Sequence, residues 1–164
     1  MKKITLILTL SIFCTTAVFA QKYGHINSYE VMMAMPGIDS VQIKVAEFKK
    51  ELETIYENMR NEFQTKKDKL DKEAGTMSSA VRKLREDELN SILYRIQEFE
   101  YTFEDSVQEE SMKLFAPLQE RIIDAINDVA KENKYNYIFN IQNLLYYDGG
   151  DDVTPLVKKK LGIK

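Results

Sequence analysis

Apolar residues along the chain fall into two runs with the same rhythm. Val45, Phe48, Leu52, Ile55 and Met59 step by three, four, three and four residues, and so do Leu89, Ile92, Ile96, Phe99 and Phe103. That alternation keeps apolar side chains on one stripe of a helix, the seam spacing of a coiled coil. No Pro or Gly interrupts the chain between Gly37 and Gly75, and the segment 74–79 (Ala-Gly-Thr-Met-Ser-Ser) separates the runs as a turn. If the second run folds back on the first, the numbers of paired residues must share one sum. Leu70 with Leu84, Met59 with Ile96, Ile55 with Phe99, Leu52 with Phe103 and Phe48 with Val107 agree to within a residue, which puts the pivot near Met77. The pattern therefore predicts an antiparallel helical hairpin over 41–114 with its tip at 74–79. Lys66 occupies the seam step between Phe63 and Leu70, so the seam weakens toward the tip.

The flanks read differently. Residues 23–28 are a short candidate strand, and Asn27 with Glu30 three residues on resembles a capping box that opens a brief helix ended by Pro36-Gly37. Asp39 with Gln42 repeats the signal and is expected to cap the long helix. Beyond Val107 the seam lapses and returns as Leu114, Leu118, Ile122, Ala125 or Ile126, and Val129, with a kink expected at Pro117. The aromatic and branched stretches 135–141 and 143–147 read as strands, 148–152 as a loop. Thr154 as N-cap, Pro155, Lys158-Lys159-Lys160 and then Gly162 describe a complete short helix.

The predicted fold class is mainly α with a small β base: a long antiparallel helical hairpin, a coiled-coil arm, projecting from a strand-containing oligomerisation base built from 21–40 and 115–164. So small a base has little core of its own, and association through its strands is the expected remedy. Ile26, Ile138, Ile141, Leu144 and Leu145 are the interface candidates.

Residues 1–20 form a separate element. Lys2 and Lys3, a short apolar stretch to Phe13 and Val18-Phe19-Ala20 read as an export signal cleaved after Ala20, which places the mature chain in the periplasm. The whole chain has 23 basic and 26 acidic side chains, a formal charge of −3, and losing the two lysines brings this to −5. The single cysteine, Cys14, leaves with the signal, so disulfide and thiolate-metal chemistry are excluded from the mature chain. A net negative charge argues against a nucleic-acid binder. There is no phosphate loop, GxGxxG, HExxH or GxSxG, and His25 is the lone histidine, so neither an enzyme nor a cofactor or metal is expected. Asp148, Asp151 and Asp152 lack the spacing of a calcium loop.

Charge along the arm is uneven. Lys66, Lys67, Lys69, Lys72, Arg82, Lys83 and Arg85 outnumber Asp68, Asp71 and Glu73 and make a basic tip, suited to an anionic membrane surface or a polypeptide. Between Glu98 and Glu110 lie six acids and no Lys or Arg. Tyr56, Leu93, Tyr94 and Tyr101 are left over once the seam is assigned, and are candidates for contact with a client chain.

The strand ending in Ile26-Asn27, the long hairpin, Asn127-Asp128-Val129-Ala130, Tyr137-Ile138-Phe139 and the stretch from Tyr147-Asp148 to Asp152-Val153-Thr154 together resemble the Skp (OmpH) family of periplasmic chaperones. The resemblance covers the whole mature chain. It implies a homotrimer joined through β-strands, whose three hairpin arms enclose unfolded outer-membrane β-barrel proteins and prevent their aggregation without ATP. Members of that family are strongly basic, whereas this chain is positive only at its tip, so no lipopolysaccharide site is carried over. The same coiled coil would also suit an envelope scaffold or spacer that binds a folded partner.

Overall fold

The structure, a computed structural model, describes residues 21–163. Residues 1–20, read as an export signal, lie outside them. The elements in chain order are β1 (Tyr23–Ile26), α1 (Ser28–Met33), α2 (Ile38–Glu73), α3 (Ser79–Asn133), β2 (Tyr137–Asn140), a 3₁₀ turn (Ile141–Asn143), β3 (Asp151–Asp152) and α4 (Thr154–Lys160). They divide into two compact units, one of residues 21–31 with 122–164 and one of residues 32–121. Residues 32–40 and 115–121, expected in the base, thus belong with the hairpin.

The hairpin unit has two helices running antiparallel. Lys66 pairs with Glu88 and Tyr56 with Glu100, so positions advancing along α2 meet positions receding along α3. The 36 residues of α2 make a rod of roughly 54 Å. Its packed centre is Met59, Ile92 and Ile96, with Tyr56, Phe63 and Phe99 against them. In α3 the seam falls where the rhythm places it. In α2 it does not: Ile55 is 41% exposed and Tyr56 takes its place. The steps from Phe48 are four, four and three (Leu52, Tyr56, Met59), a stutter that locally unwinds the coil and lets an aromatic ring reach Phe99. Toward the tip Leu84 is 67% exposed and does not pair with Leu70. The half-buried ion pair Lys66–Glu88 spans that level, and Leu70 and Met77 line a small hollow beside it.

Helix starts also depart from expectation. Asp39 does not cap α2; Gly37 does, at φ +94°, a left-handed conformation that glycine adopts without steric cost. Asn27 caps α1 as expected, its Oδ1 accepting from the Glu30 N–H at 3.1 Å. The Asn27 N–H itself donates to Thr154 Oγ1 at 3.0 Å. Thr154 is therefore the first residue of α4 and not its cap, and Asp152 Oδ1 accepts from its N–H at 2.9 Å. Pro117 lies inside α3, which continues through it.

In the other unit the sheet has the order β2-β1-β3 and both pairings are parallel. The stretch 143–147, read as a strand, is not one. The third strand is Asp151–Asp152, inside the segment read as a loop, because Gly149 (φ +104°) and Gly150 (φ +79°) turn the chain so that its backbone can pair with Gly24 and His25. At Gly24 the fit is tight: a Cβ there would lie 3.0 Å from Val153 Cγ1, and that side chain would have to shift by a few tenths of an ångström. Ile26, Val31, Val129, Val153 and Val157 are buried in this unit. Ile26 is accordingly spent on the chain's own core and is not available to a neighbouring subunit. Lys22 and Tyr135 clasp Asp151, at 3.2 and 2.7 Å, and their hydrogen bonds hold its carboxyl below the usual carboxylate range.

The displaced seam has a direct test. Ile92→Ala should destabilise the fold by about 2–4 kcal/mol, as expected for truncating a buried isoleucine. Ile55→Ala should cost less than about 1 kcal/mol, as expected for a side chain left largely in water. Urea denaturation of both variants reads the difference, and equal losses would restore the regular seam.

Candidate functional site

Tyr56 organises the middle of the hairpin. Its ring stacks on Phe99 at 6.3 Å between centroids and 14° between planes, and the Arg60 guanidinium lies 5.7 Å from its centroid. Its hydroxyl donates to Glu100, and that bond to a carboxylate raises the phenol above its ordinary value. On one side of this pair runs a groove of about 760 Å³ lined by Tyr56, Arg60, Phe63, Leu93, Ile96 and Glu100. A second of about 290 Å³ lies among Glu53, Tyr56, Phe99, Glu100, Phe103 and Glu104. Of the four candidate contact residues, the structure thus brings Tyr56 and Leu93 together. Tyr94 and the 84% exposed Tyr101 line neither groove. Phe99 and Phe103 were read as seam alone; both remain half-buried and form part of the second groove.

In the sheet unit, alternation sends Gly24 and Ile26 inward and Tyr23 and His25 outward. Tyr137 and Phe139 share the outer face by register, and Tyr23 stacks on them at 5.9 and 6.5 Å. Ile138, Ile141 and Leu144 are half-buried and Leu145 is fully exposed. Aliphatic side chains in a strand pair of this kind face the core, so the outward side chains of β1 and β2 include the aromatic trio. The two-residue spacing of Tyr137 and Phe139 was the available signal. His25 packs against Tyr147 at 4.9 Å, and its buried Nδ1 has no hydrogen-bond partner. Among the described residues no group of acidic, histidine or cysteine side chains is arranged to hold a metal, and no helix is long and apolar enough to cross a membrane.

The family described as outer membrane protein (OmpH-like) matches residues 22–161. The chain belongs to this family. Curated relatives named chaperone protein Skp include one from Yersinia enterocolitica, 23% identical over 94% of both chains. Another, from Vibrio cholerae, is 30% identical over 86% of this chain and 83% of its own. The fold is shared with a crystal structure of an OmpH-like protein from Caulobacter crescentus, at a TM-score of 0.68 and 12% identity, covering 90% of this chain and 87% of that one. The family is one of chaperones and not of enzymes.

For an OmpH-like chain the tip is less basic in three dimensions than along the sequence. Lys66 pairs with Glu62 and Glu88, Lys67 with Asp71, Arg82 with Glu86 and Arg85 with Glu88. Three of these partners, Glu62, Glu86 and Glu88, lie just outside the stretch from Lys66 to Arg85. Among the described residues Lys69, Lys72 and Lys83 are in no ion pair, and they are what remains to meet an anionic surface.

Glu88 is held below the usual carboxylate range, first by Lys66 and then by Arg85. A lowered folded-state value stabilises the fold above the unfolded carboxylate value and ceases to do so as pH falls through the folded one. Glu88→Gln should therefore lower the thermal midpoint at neutral pH, and the gap to the parent should close on acidification below roughly pH 4, the ordinary carboxylate range. A gap constant across pH would show that the pair adds nothing.

Proposed function

We propose that this protein is an ATP-independent periplasmic holdase that binds unfolded outer-membrane β-barrel proteins between the hairpins of a homotrimer. The observation that carries the reading is a hairpin whose seam leaves aromatic grooves and exposed tyrosines along its length. Such surfaces bind apolar segments reversibly and keep unfolded chains from associating with one another. The sheet unit supports self-association: β2 and β3 are both open edges, and Tyr23, Tyr137 and Phe139 form an exposed stacked face. Ile141, Leu144 and Leu145 border that interface, and Ile138, on the Gly24 side of β2, backs it from the opposite face of the sheet. Relatives named as chaperones and the absence of a nucleotide motif agree with it.

Native mass spectrometry and light scattering on a denaturant-diluted outer-membrane barrel test it together. The expected results are a trimer mass and scattering reduced by roughly half or more at stoichiometric trimer, as mass action predicts for tight holding. Tyr137→Arg with Phe139→Arg should yield monomers with weaker suppression. A wild-type monomer without effect on scattering, or one that binds a folded envelope protein at fixed stoichiometry, would replace the holdase by a scaffold.

A further inference from the structure

The groove of about 290 Å³ differs in composition from the larger groove beside it, which includes Arg60. Three rings form its floor, Tyr56, Phe99 and Phe103, with successive centroids 6.3 and 6.1 Å apart and planes at 14° and 58°. Its other lining residues are Glu53, Glu100 and Glu104, and no Lys or Arg is among them. Glu100 accepts from Tyr56, while Glu53 and Glu104 take part in no ion pair among the described residues. Glu100 and Glu104 are four residues apart on α3, where like charges repel, and Glu53 adds a third carboxylate from α2. Half-buried rings beside carboxylates that have no basic partner favour a ligand that is at once flat and cationic. The chain itself shows the preference on the neighbouring side of the same ring, where Arg60 lies over Tyr56.

We propose that this groove receives an arginine side chain from an extended segment of the bound client, a specificity that rests on the holdase reading. A guanidinium can lie on the ring floor and donate to carboxylates at the rim, whereas an ammonium offers a point charge alone. The volume, near the lower limit of roughly 300 Å³ for ligand pockets, fits a single long side chain and not a folded surface. Held clients would then be favoured where arginine stands beside apolar residues, and the acidic run on α3 would be the source of that selectivity.

The test uses the full exported chain in its native assembly and fluorescence anisotropy with labelled peptides. One peptide alternates arginine with aromatic residues; its twin carries citrulline, of the same shape without the charge. The arginine peptide should bind about tenfold tighter at low ionic strength, the combined effect of cation–π and ion-pair contacts, and lose that advantage with added salt. The exposed double variant E53Q/E104Q should weaken arginine binding roughly three- to tenfold and leave citrulline binding unchanged. E109Q/E110Q, which removes equal charge outside the groove, should change neither. Equal binding of the two peptides, no binding of the arginine peptide, or equal losses in the two double variants would overturn the proposal. Aggregation suppression is read in parallel: suppression without arginine preference leaves the holdase and removes this site, whereas arginine binding through Glu53 and Glu104 without suppression leaves the site and removes the holdase.

Discussion

The hairpin depends on one constraint: two helices more than thirty residues long must stay in contact along a stripe narrow enough to leave most of each surface charged. Hydrophobic burial at Met59, Ile92 and Ile96 supplies the contact, and those residues are flanked by aromatic ones that are only half covered. A helix pair of this kind has no second layer to close over its rings. The incomplete cover at Tyr56, Phe99 and Phe103 follows from the stutter, because a four-residue step brings a ring into the seam where a regular step would bring Ile55. Packing and exposed binding surface therefore come from the same side chains.

The sheet unit meets a different constraint. Three short parallel strands have few ladder bonds, so the unit is tied by specific contacts. The Asn27 N–H donates to Thr154, Lys158 pairs with Glu30 at 2.6 Å, and Lys160 pairs with Asp128 and Glu132 at 3.2 and 2.5 Å. These ties join the two ends of the sequence into one body. They leave the outer sheet face aromatic and open, an arrangement suited to burial against further copies.

Much of this was legible in the sequence. The two apolar runs fixed the hairpin, its direction and its turn, since a repeat sustained over many helical turns has few alternatives. What failed was local. Ile55 and Tyr56 are adjacent and both apolar, and only the partner helix decides which faces it. Residues 143–147 carry strand-like side chains, yet pairing is a backbone property, and Gly149-Gly150 delivers Asp151–Asp152 to the open edge of β1 in spite of low strand propensity. Asp39 and Thr154 fit cap signatures but lie two residues and one residue past the true caps, Gly37 and Val153. The tip charge misled because a window along the chain ignores carboxylates that return from the opposite helix, as Glu88 does to Lys66.

Charge is unevenly distributed along the arm. Lys66, Lys67, Arg82 and Arg85 near the tip are paired, while Glu53 and Glu104, in no ion pair among the described residues, lie beside aromatic rings on the arm. All of this presupposes that α2 and α3 lie against each other within one molecule. Cysteines placed at Lys66 and Glu88 in a chain of residues 21–164, which otherwise has none, test that most directly. A short bismaleimide cross-linker, which spans more than a disulfide can, should join the two thiols within a single chain of dilute protein, while a control pair at Lys66 and Gln108 should not be joined. Cross-links only between chains, or none at either pair, would contradict the hairpin and everything built on it.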